Sequence, residues 1–277
     1  MTRTLYVTDM DGTLLNNGSF ISNRSSAIIS DLSHAGALVT VATARTPATV
    51  VPLMESTFTT VPYVVLTGAA MYDHATSAYH DVSYIPPSDC ELLQTLYAEA
   101  GIHPFVYHLD SGGGLVVYHH HEMTDAERDF YMPRSHLKLK RFTFEKMASG
   151  ENNNVILLFA TGRRRDIMPL ADAISETGRF SVSCYPDIFT PDIMLLEVFS
   201  SGVSKANAIQ HLMSSTGASR LVAFGDNLND LPMLDIADVA VAVANAHPRV
   251  KESADIVIGP NFDDSVARFM LHDFYNH

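Results

Sequence analysis

Short apolar runs alternate with amphipathic segments along the N-terminal part of the chain. The apolar runs are typical of strands, because each is short and is bounded by polar or turn-forming residues. Between them, apolar and small residues recur at helical spacing, and Pro47 suits the first turn of a second helix. This strand–helix–strand–helix–strand order predicts a parallel, doubly wound sheet with right-handed crossovers. The predicted strands are 5–8, 37–42 and 61–66, and the predicted helices are 22–35 and about 47–54.

The middle of the chain has a different pattern. A helix is predicted from Ser88 to Ala100, and two apolar runs flank the glycine-rich turn 111–114, as in a β-hairpin. A polar segment, 149–154, interrupts this region, and Pro186 marks a return to the first pattern. The predicted fold is therefore α/β. It consists of a doubly wound parallel-sheet (Rossmann-like) core formed by residues 1–81 and 189–277, with an α/β (α+β) domain inserted at 82–188.

Two carboxylates follow the first predicted strand directly. If the chain stays extended there, Asp9 and Asp11 point to the same side, about 7 Å apart. Two anions this close repel unless a cation lies between them, and hard oxygen ligands suit Mg²⁺. Gly12 permits the sharp turn that follows. Taken alone, the Asp-x-Asp-Gly-Thr pattern also describes an Asx-type turn after a strand.

A second acidic cluster strengthens the interpretation as an active site. Asp226 and Asp230 follow the apolar run 220–224. In an open parallel sheet the ligand crevice lies outside the carboxyl ends of the strands, so distant segments meet there if their strands are neighbours. Thr43 ends another predicted strand, and Lys205 lies at the start of a helical segment. A hydroxyl and an ammonium beside these carboxylates predict a phosphate-binding site.

Four short motifs carry these residues in a fixed order. They are Asp9-Met10-Asp11-Gly12-Thr13, Thr43-Ala44-Arg45, Lys205, and Gly225-Asp226-Asn227-Leu228-Asn229-Asp230. Together they resemble the motifs of the haloacid dehalogenase superfamily of phosphatases, specifically its Cof-type, class IIB branch. The resemblance covers nearly the whole chain. It departs at Ala44, where the family usually has Gly, and near Gly68, where the family has an Asn-Gly pair.

The resemblance, together with the chemistry of these residue types, implies a catalytic mechanism. Asp9 is expected to attack phosphorus and form an aspartyl-phosphate, with Asp11 as general acid and base. Thr43 and Lys205 are expected to bind the non-transferring phosphoryl oxygens. In the family, an insert at this position is a cap domain that closes over the active site and selects the substrate.

The remaining candidate residues concern the metal and the substrate. The expected cofactor is Mg²⁺, with Asp9, the backbone carbonyl of Asp11 and Asp226 as ligands. Asp230 is expected nearby, either as a ligand through water or as a residue that holds Lys205. Arg45 is a candidate substrate contact, with a surface ion pair as the alternative. Asn229 is another candidate, with a helix cap as the alternative.

Composition limits the class of partner. The 277 residues carry a formal charge of −13, with 31 acidic against 18 basic residues, which argues against a nucleic-acid or anionic-membrane surface. The apolar runs are too short to predict a membrane span. The two cysteines lack metal-ligand spacing, and the N-terminus runs straight into the first strand, so we expect a cytoplasmic protein. The expected partner is a small phosphorylated metabolite, sugar phosphates first, whereas oligomeric state is not indicated.

Two other functions are compatible with the same residues. A phosphotransferase or phosphomutase would use the same Asp9, and a non-catalytic phospho-ligand sensor would bind metal without turnover. Three consecutive histidines, 119–121, suggest a metal site, but adjacent strand residues face opposite ways and cannot all converge on one ion. The arginines 163–165 fit a solvated helix face or a contact to a second anionic group of the substrate.

Overall fold

The chain divides into two compact units. The computed structural model describes residues 3–145, 154–187 and 190–277. One unit combines residues 1–81 with 204–277, and the other is formed by residues 82–203. The polar segment predicted at 149–154 lies outside the described residues, apart from Asn154.

A five-stranded parallel sheet forms the centre of the first unit. The strand order is β14-β13-β12-β1-β2, and every pair of neighbours is parallel. The strands nearest the middle are almost completely buried, as expected for a sheet covered on both faces. The five strands are β1 (Thr4–Thr8), β2 (Leu38–Val41), β12 (Arg220–Gly225), β13 (Val239–Ala242) and β14 (Ile256–Val257).

Helices connect these strands, and local signals fix their ends. Ser22 caps the first helix by accepting a hydrogen bond from the backbone N–H of Ser25, and Ser204 does the same for Asn207. Pro47 occupies the first turn of the second helix, as predicted. The helices of this unit are α1 (Asn23–His34), α2 (Pro47–Met54), α6 (Lys205–Thr216), α7 (Leu231–Asp235), α8 (Pro248–Ser253) and α9 (Ser265–Asn276).

The third strand of the first unit differs from the prediction. β3 (Tyr63–Val65) belongs to a separate antiparallel sheet with β4 (Ala70–Asp73) and β5 (Ala78–His80). An isolated parallel bridge between Ala42 and Val64 joins it to the end of β2. The chain reverses directly after β3, so the ladder partner of β3 comes from the next few residues rather than from β2.

The second unit is built on a six-stranded, mainly antiparallel sheet. Its order is β10-β11-β9-β6-β7-β8, and the hairpin predicted across 111–114 is confirmed as β6 and β7. α3 and α5 pack on one face over a core that includes Leu93, Tyr97 and Ile174, while Phe130 of α4 contacts the opposite face. The elements are α3 (Pro87–Ala100), β6 (Phe105–Leu109), β7 (Leu115–Tyr118), α4 (Asp125–Tyr131), β8 (Lys140–Thr143), β9 (Val155–Arg163), α5 (Arg164–Glu176), β10 (Phe180–Pro186) and β11 (Ile193–Ser200).

The second boundary between the units lies later in the chain than residue 188. β11 pairs antiparallel with both β9 and β10, so residues 193–200 belong to the sheet of the second unit. The apolar pattern of this segment fits a strand of either unit, and only its pairing decides the assignment. Within the described ranges, none of the helices combines the length and the hydropathy needed to cross a membrane.

Candidate active site

Residues that follow neighbouring strands meet at one edge of the parallel sheet. β1 lies between β12 and β2, and Thr8 is in register with Phe224 on one side and Val41 on the other. Asp9 comes next, and its N–H donates to the Phe224 carbonyl at 3.0 Å. Because all three strands run the same way, Asp9 lies beside the residues that follow β12 and β2.

Lys205 joins two buried carboxylates. Its Nζ lies 2.5 Å from Oδ1 of Asp9 and 2.7 Å from Oδ1 of Asp230. The Lys205 side chain is 1% exposed, and those of Asp9 and Asp230 are 10% and 0% exposed. An ammonium buried this deeply has to be paired, and these two hydrogen bonds supply the pairing. The start of α6 is thereby tied to the ends of β1 and β12.

Burial and mutual repulsion change the acidity of this cluster. Burial raises the pKa of Asp9 to about 8, Lys205 opposes that change, and the Asp230 and Asp226 carboxylates add to it. Burial also raises the pKa of Asp226 to about 6. Burial alone would lower the pKa of Lys205, but the carboxylates of Asp9 and Asp230 raise this pKa above its ordinary value. Three carboxyl groups thus share one ammonium, and a divalent cation at this site would favour their ionised forms.

The turn after β1 is shaped around Asp226. Gly12 has a φ of +77°, and a Cβ at this position would collide with the Asp226 carboxylate. The Thr13 hydroxyl donates to Oδ1 of Asp226 at 2.8 Å. A glycine and a hydroxyl are both needed here, because the backbone comes close to the carboxylate and the hydroxyl then orients it.

The donor set fits a hard divalent cation. Asp9, Asp226 and Asp230 each offer a carboxylate oxygen, and these oxygens lie within 4.8 Å of one another. Oxygen ligands with excess negative charge suit Mg²⁺. Oδ1 of Asp230 already accepts from Lys205, and its Oδ2 accepts from the backbone N–H groups of Asp226 and Asn227. Asp9 and Asp226 are therefore the better direct ligands, and Asp230 is better suited to holding Lys205.

Asp11 points away from this cluster. The chain turns at 10–14 instead of continuing as a strand, so the expected alternation of Asp9 and Asp11 ends there. The Asp11 carboxylate accepts two hydrogen bonds from the Arg45 guanidinium, at 2.7 Å and 2.6 Å. Arg45 therefore forms an ion pair, which was the alternative to a substrate contact in the sequence analysis. Its partner, Asp11, is the expected general acid and base.

Thr43 is buried next to this pair, whereas Asn229 is exposed. Thr43 is 1% exposed, and its Oγ1 accepts from the backbone N–H of Arg45 at 3.2 Å. The position of Thr43 at the end of β2 is the one that the strand pattern predicts. Asn229 is exposed in the short helical turn 228–230, so its role as a substrate contact stays a prediction.

Two further residues support the site without having been predicted as site residues. Thr13 orients Asp226, as described above. Asn245 follows β13, and its Nδ2 donates to the Gly12 carbonyl at 2.7 Å while its Oδ1 accepts from the backbone N–H of Asn261 at 2.9 Å. The rule that polar residues at parallel strand ends converge would have identified Asn245, because β13 is the neighbour of β12.

The three rings of the histidine run, 119–121, do not converge on one point. His119 is buried, with its ring nitrogens 2.8 Å and 3.1 Å from the carbonyl oxygens of His120 and His103. The His120 ring stacks on His103, and the His121 ring stacks on Phe144. The three rings therefore have different neighbours, although residues 119–121 follow β7 and do not continue it as a strand. In the arginine run, the exposed Arg165 side chain pairs with Asp166 at 3.6 Å.

Comparison with known proteins gives a consistent family. The family model for haloacid dehalogenase-like hydrolases matches residues 6–270. The chain is 26% identical to pyridoxal phosphate phosphatase YbhA of Escherichia coli, over 100% of this chain and 99% of that protein. It is 23% identical to 5-amino-6-(5-phospho-D-ribitylamino)uracil phosphatase YitU of Bacillus subtilis, over 98% and 97% of the two chains.

A solved structure gives the same result for the fold. The chain superposes on the haloacid dehalogenase subclass IIB sugar phosphatase BT4131 with a TM-score of 0.72, over 98% of this chain and 99% of that one. The sequence identity in this comparison is 20%. The architecture of a parallel α/β sheet with an additional sheet domain is therefore shared along essentially the whole chain.

Proposed function

The chain belongs to the haloacid dehalogenase-like hydrolases and is a phosphoric monoester hydrolase, and from that premise we propose a Mg²⁺-dependent phosphatase for small phosphorylated metabolites, with sugar phosphates as first candidates. The observation that supports this best is the environment of Asp9. Its carboxylate lies at a strand end, is hydrogen-bonded to Lys205, and belongs to the cluster with Asp226. A nucleophilic carboxylate needs this combination of fixed position and nearby positive charge.

The proposed reaction proceeds in two displacements on Asp9. Lys205 holds Oδ1 of Asp9, so we assign the attack on phosphorus to Oδ2. The P–O ester bond breaks as the Asp9 O–P bond forms, and the leaving oxygen takes a proton from Asp11. A water molecule then gives a proton to Asp11 and attacks the phosphorus of the aspartyl-phosphate. The Asp9 O–P bond breaks, so phosphate is released and the Asp9 carboxylate is restored.

Asp11 has to change partner during this cycle. Its carboxylate accepts two hydrogen bonds from Arg45 in the structure described here. In the proposal, Asp11 leaves that pair, takes up a proton from water and gives this proton to the leaving oxygen, while Arg45 becomes free to bind the substrate. The ion-pair and substrate-contact roles of Arg45 thus become two stages of one cycle.

The remaining site residues stabilise charge in this proposal. Thr43 and Lys205 donate to the non-transferring phosphoryl oxygens, where fixed donors stabilise the charge of the transition state. Asp9 and Asp226 would hold Mg²⁺, with the Asp11 carbonyl as a further ligand. The bound cation would neutralise the charge that otherwise keeps a carboxylate away from a phosphate ester.

The choice among phosphate esters depends on groups outside the residues that bind phosphate. The matched proteins are named for pyridoxal phosphate, for a phosphoribityl compound and for sugar phosphates. We propose that the inserted unit acts as a cap that selects among such esters, and that the protein is cytoplasmic.

The test is phosphate release from a panel of sugar phosphates, pyridoxal phosphate and an aryl phosphate, with Mg²⁺ and with EDTA. The expected result is release that requires Mg²⁺ and falls by about 10³-fold or more in Asp9→Asn. The matched control is Asp31→Asn, which changes an exposed carboxylate on α1 and should leave the rate unaltered. An Asp9→Asn protein that retains the rate without deamidation would disprove the assignment of the nucleophile.

Product analysis separates the alternative functions. A phosphotransferase would convert the ester to another phosphorylated product without releasing phosphate. A non-catalytic sensor would bind Mg²⁺ and ester but leave the ester intact. Free phosphate in an amount equal to the alcohol product supports the phosphatase.

A further inference from the structure

The segment after β3 has an unusual backbone. Leu66, Thr67 and Gly68 have φ values of +51°, +58° and +93°. The left-handed region is costly for residues with a Cβ, and most of all for a β-branched residue such as Thr67. Such a conformation persists only where the surrounding structure fixes it, and it is commonest at functional sites. We call residues 66–68 the left-handed segment.

One side of the left-handed segment is bonded to the segment that carries Thr43 and Arg45. The backbone N–H of Leu66 donates to the Arg45 carbonyl, and that of Thr67 donates to the Thr43 carbonyl, both at 3.0 Å. In return, the Thr43 N–H donates to the Val64 carbonyl, also at 3.0 Å. These three hydrogen bonds fix the backbone of Thr43 to the end of β3.

The other side of the left-handed segment touches the start of α6. A Cβ placed on Gly68 would collide with the Ser204 carbonyl and would lie 3.1 Å from the backbone nitrogen of Lys205. Ser204 is the cap of α6, and Lys205 carries the ammonium that binds Asp9. The backbone of the left-handed segment thus separates Thr43 from Lys205 by a fixed distance.

We infer that Gly68 is a positioning residue that sets the distance between the Thr43 hydroxyl and the Lys205 ammonium. This inference rests on the proposed function, in which these two groups bind the same phosphoryl unit. Donors held at a fixed distance stabilise the transition state without rearranging, and a displacement of about 1 Å costs about 10²-fold in rate. A strained backbone is retained here because a relaxed turn would not meet both the Thr43 carbonyl and Ser204.

The test compares substitutions of two glycines that have similar positive φ values. Gly36 has a φ of +99°, and a Cβ there would meet nothing within 4 Å, so Gly36→Ala adds left-handed strain alone. Gly68→Ala adds similar strain and also displaces Ser204 and Lys205. The measurements are Tm, kcat, KM and inhibition by orthovanadate, which imitates the five-coordinate phosphorus of the transition state.

Both alanine variants are expected to have a lower Tm. Gly68→Ala is also expected to lower kcat by about 30-fold and to weaken inhibition by orthovanadate by a similar factor, with KM changed less than about threefold. Gly36→Ala should keep kcat within about twofold. If Gly68→Ala loses only thermal stability, like Gly36→Ala, Gly68 has a structural role and the inference is wrong.

A second pair of variants covers the case in which Gly68→Ala does not fold. Asn and Gly both tolerate the left-handed region, but Gly allows a wider range of backbone conformations. Thr67→Gly is therefore expected to have a kcat about fivefold below that of Thr67→Asn, and equal kcat values would overturn the inference. The proposed function fails separately, if the unaltered protein releases no phosphate.

Discussion

The guanidinium of Arg45 donates two hydrogen bonds to the carboxylate of Asp11, from Nε at 2.7 Å and from Nη2 at 2.6 Å. The side chains are 27% and 57% exposed, so water screens the pair and limits its contribution to stability. Its geometry nevertheless fixes the orientation of Asp11, because a planar fork meets both carboxylate oxygens. The pair is therefore expected to matter more for activity than for folding.

Arg45→Ala tests this expectation. The free energy of unfolding should change by less than about 1 kcal/mol, because the pair is exposed. kcat/KM should fall by about 10- to 100-fold, since the substrate loses the guanidinium that binds it once Asp11 has left the pair. Arg45→Lys should restore little, because an ammonium lacks the planar fork. The control is Arg24→Ala on the exposed face of α1. An unchanged kcat/KM would mean that the pair of Arg45 and Asp11 is a surface contact without a role in activity.

Asp230→Asn tests the buried pairing of Lys205. Asp230 is fully buried and accepts from the Lys205 ammonium and from two backbone N–H groups. An amide has one acceptor oxygen, so its NH2 group must face either the Lys205 ammonium or the two backbone N–H groups, and buried donors lose their acceptor. The free energy of unfolding is expected to fall by about 3 kcal/mol, as measured by urea denaturation. Asp235→Asn, at an exposed position, is the control. A loss below about 1 kcal/mol would mean that Asp9 alone suffices to pair Lys205.

The sequence predicts the parts of the site that depend on local pattern. Asp9, Thr43 and Asp226 each follow an apolar run, so the rule for parallel strand ends places them together without knowledge of side-chain contacts. The hydrogen bonds of Lys205 follow less directly, because they require the start of α6 to lie beside the end of β1. That position depends on the left-handed segment, which the sequence marks only by the departure from the family's Asn-Gly pair near Gly68.

The predictions that differ from the structure share a cause. β3 pairs with β4 instead of extending the parallel sheet, and β11 joins the sheet of the second unit. Each is a short apolar run whose composition suits any buried strand. Hydrophobic periodicity identifies strands but does not assign their partners, because partners are chosen by chain reversal and by pairing between distant segments.

Acid should weaken the attachment of α9 to the parallel sheet. Asp273 accepts from the Tyr6 hydroxyl at 2.7 Å and from both terminal nitrogens of Arg220 at 2.6 Å and 2.8 Å. Burial alone would raise the pKa of Asp273, but hydrogen bonds from Arg220 and Tyr6 hold this pKa below its ordinary value. A depressed pKa in the folded state gives stability that is present above the unfolded-state pKa and is lost as pH falls through the folded-state pKa.

Asp273→Asn measures that contribution. At pH 7 the variant should unfold with a free energy about 3 kcal/mol lower than that of the unaltered protein. The difference should shrink as pH falls below about 4, where Asp273 of the unfolded chain becomes protonated. Asp31→Asn, exposed on α1, should show no such change. A difference that is the same at pH 7 and at about pH 3 would exclude the ionised Asp273 as its source.

Lys140 should give a pH dependence of the same sign in the second unit, but in the alkaline range. This lysine is 7% exposed, and its ammonium lies over the rings of Phe142 and Tyr107, 5.1 Å and 5.9 Å from their centres. Burial, with a smaller effect of Arg134, lowers the pKa of Lys140 to about 8. Below that pH the folded protein bears the full cost of a buried charge. Between about 8 and 10.5 the unfolded chain binds the extra proton, so stability rises with pH.

Lys140→Met should therefore stabilise the protein at neutral pH. Methionine keeps the unbranched side chain against the two rings and removes the buried charge, so the free energy of unfolding is expected to rise by about 2 kcal/mol at pH 7. The advantage should decrease progressively between pH 8 and about 10.5, as Lys140 of the unaltered protein becomes neutral when folded. Lys138→Met, at an exposed position two residues earlier, should change the free energy of unfolding little at any pH. If Lys140→Met destabilises the protein at pH 7, contacts between the ammonium and the aromatic rings outweigh the cost of burial.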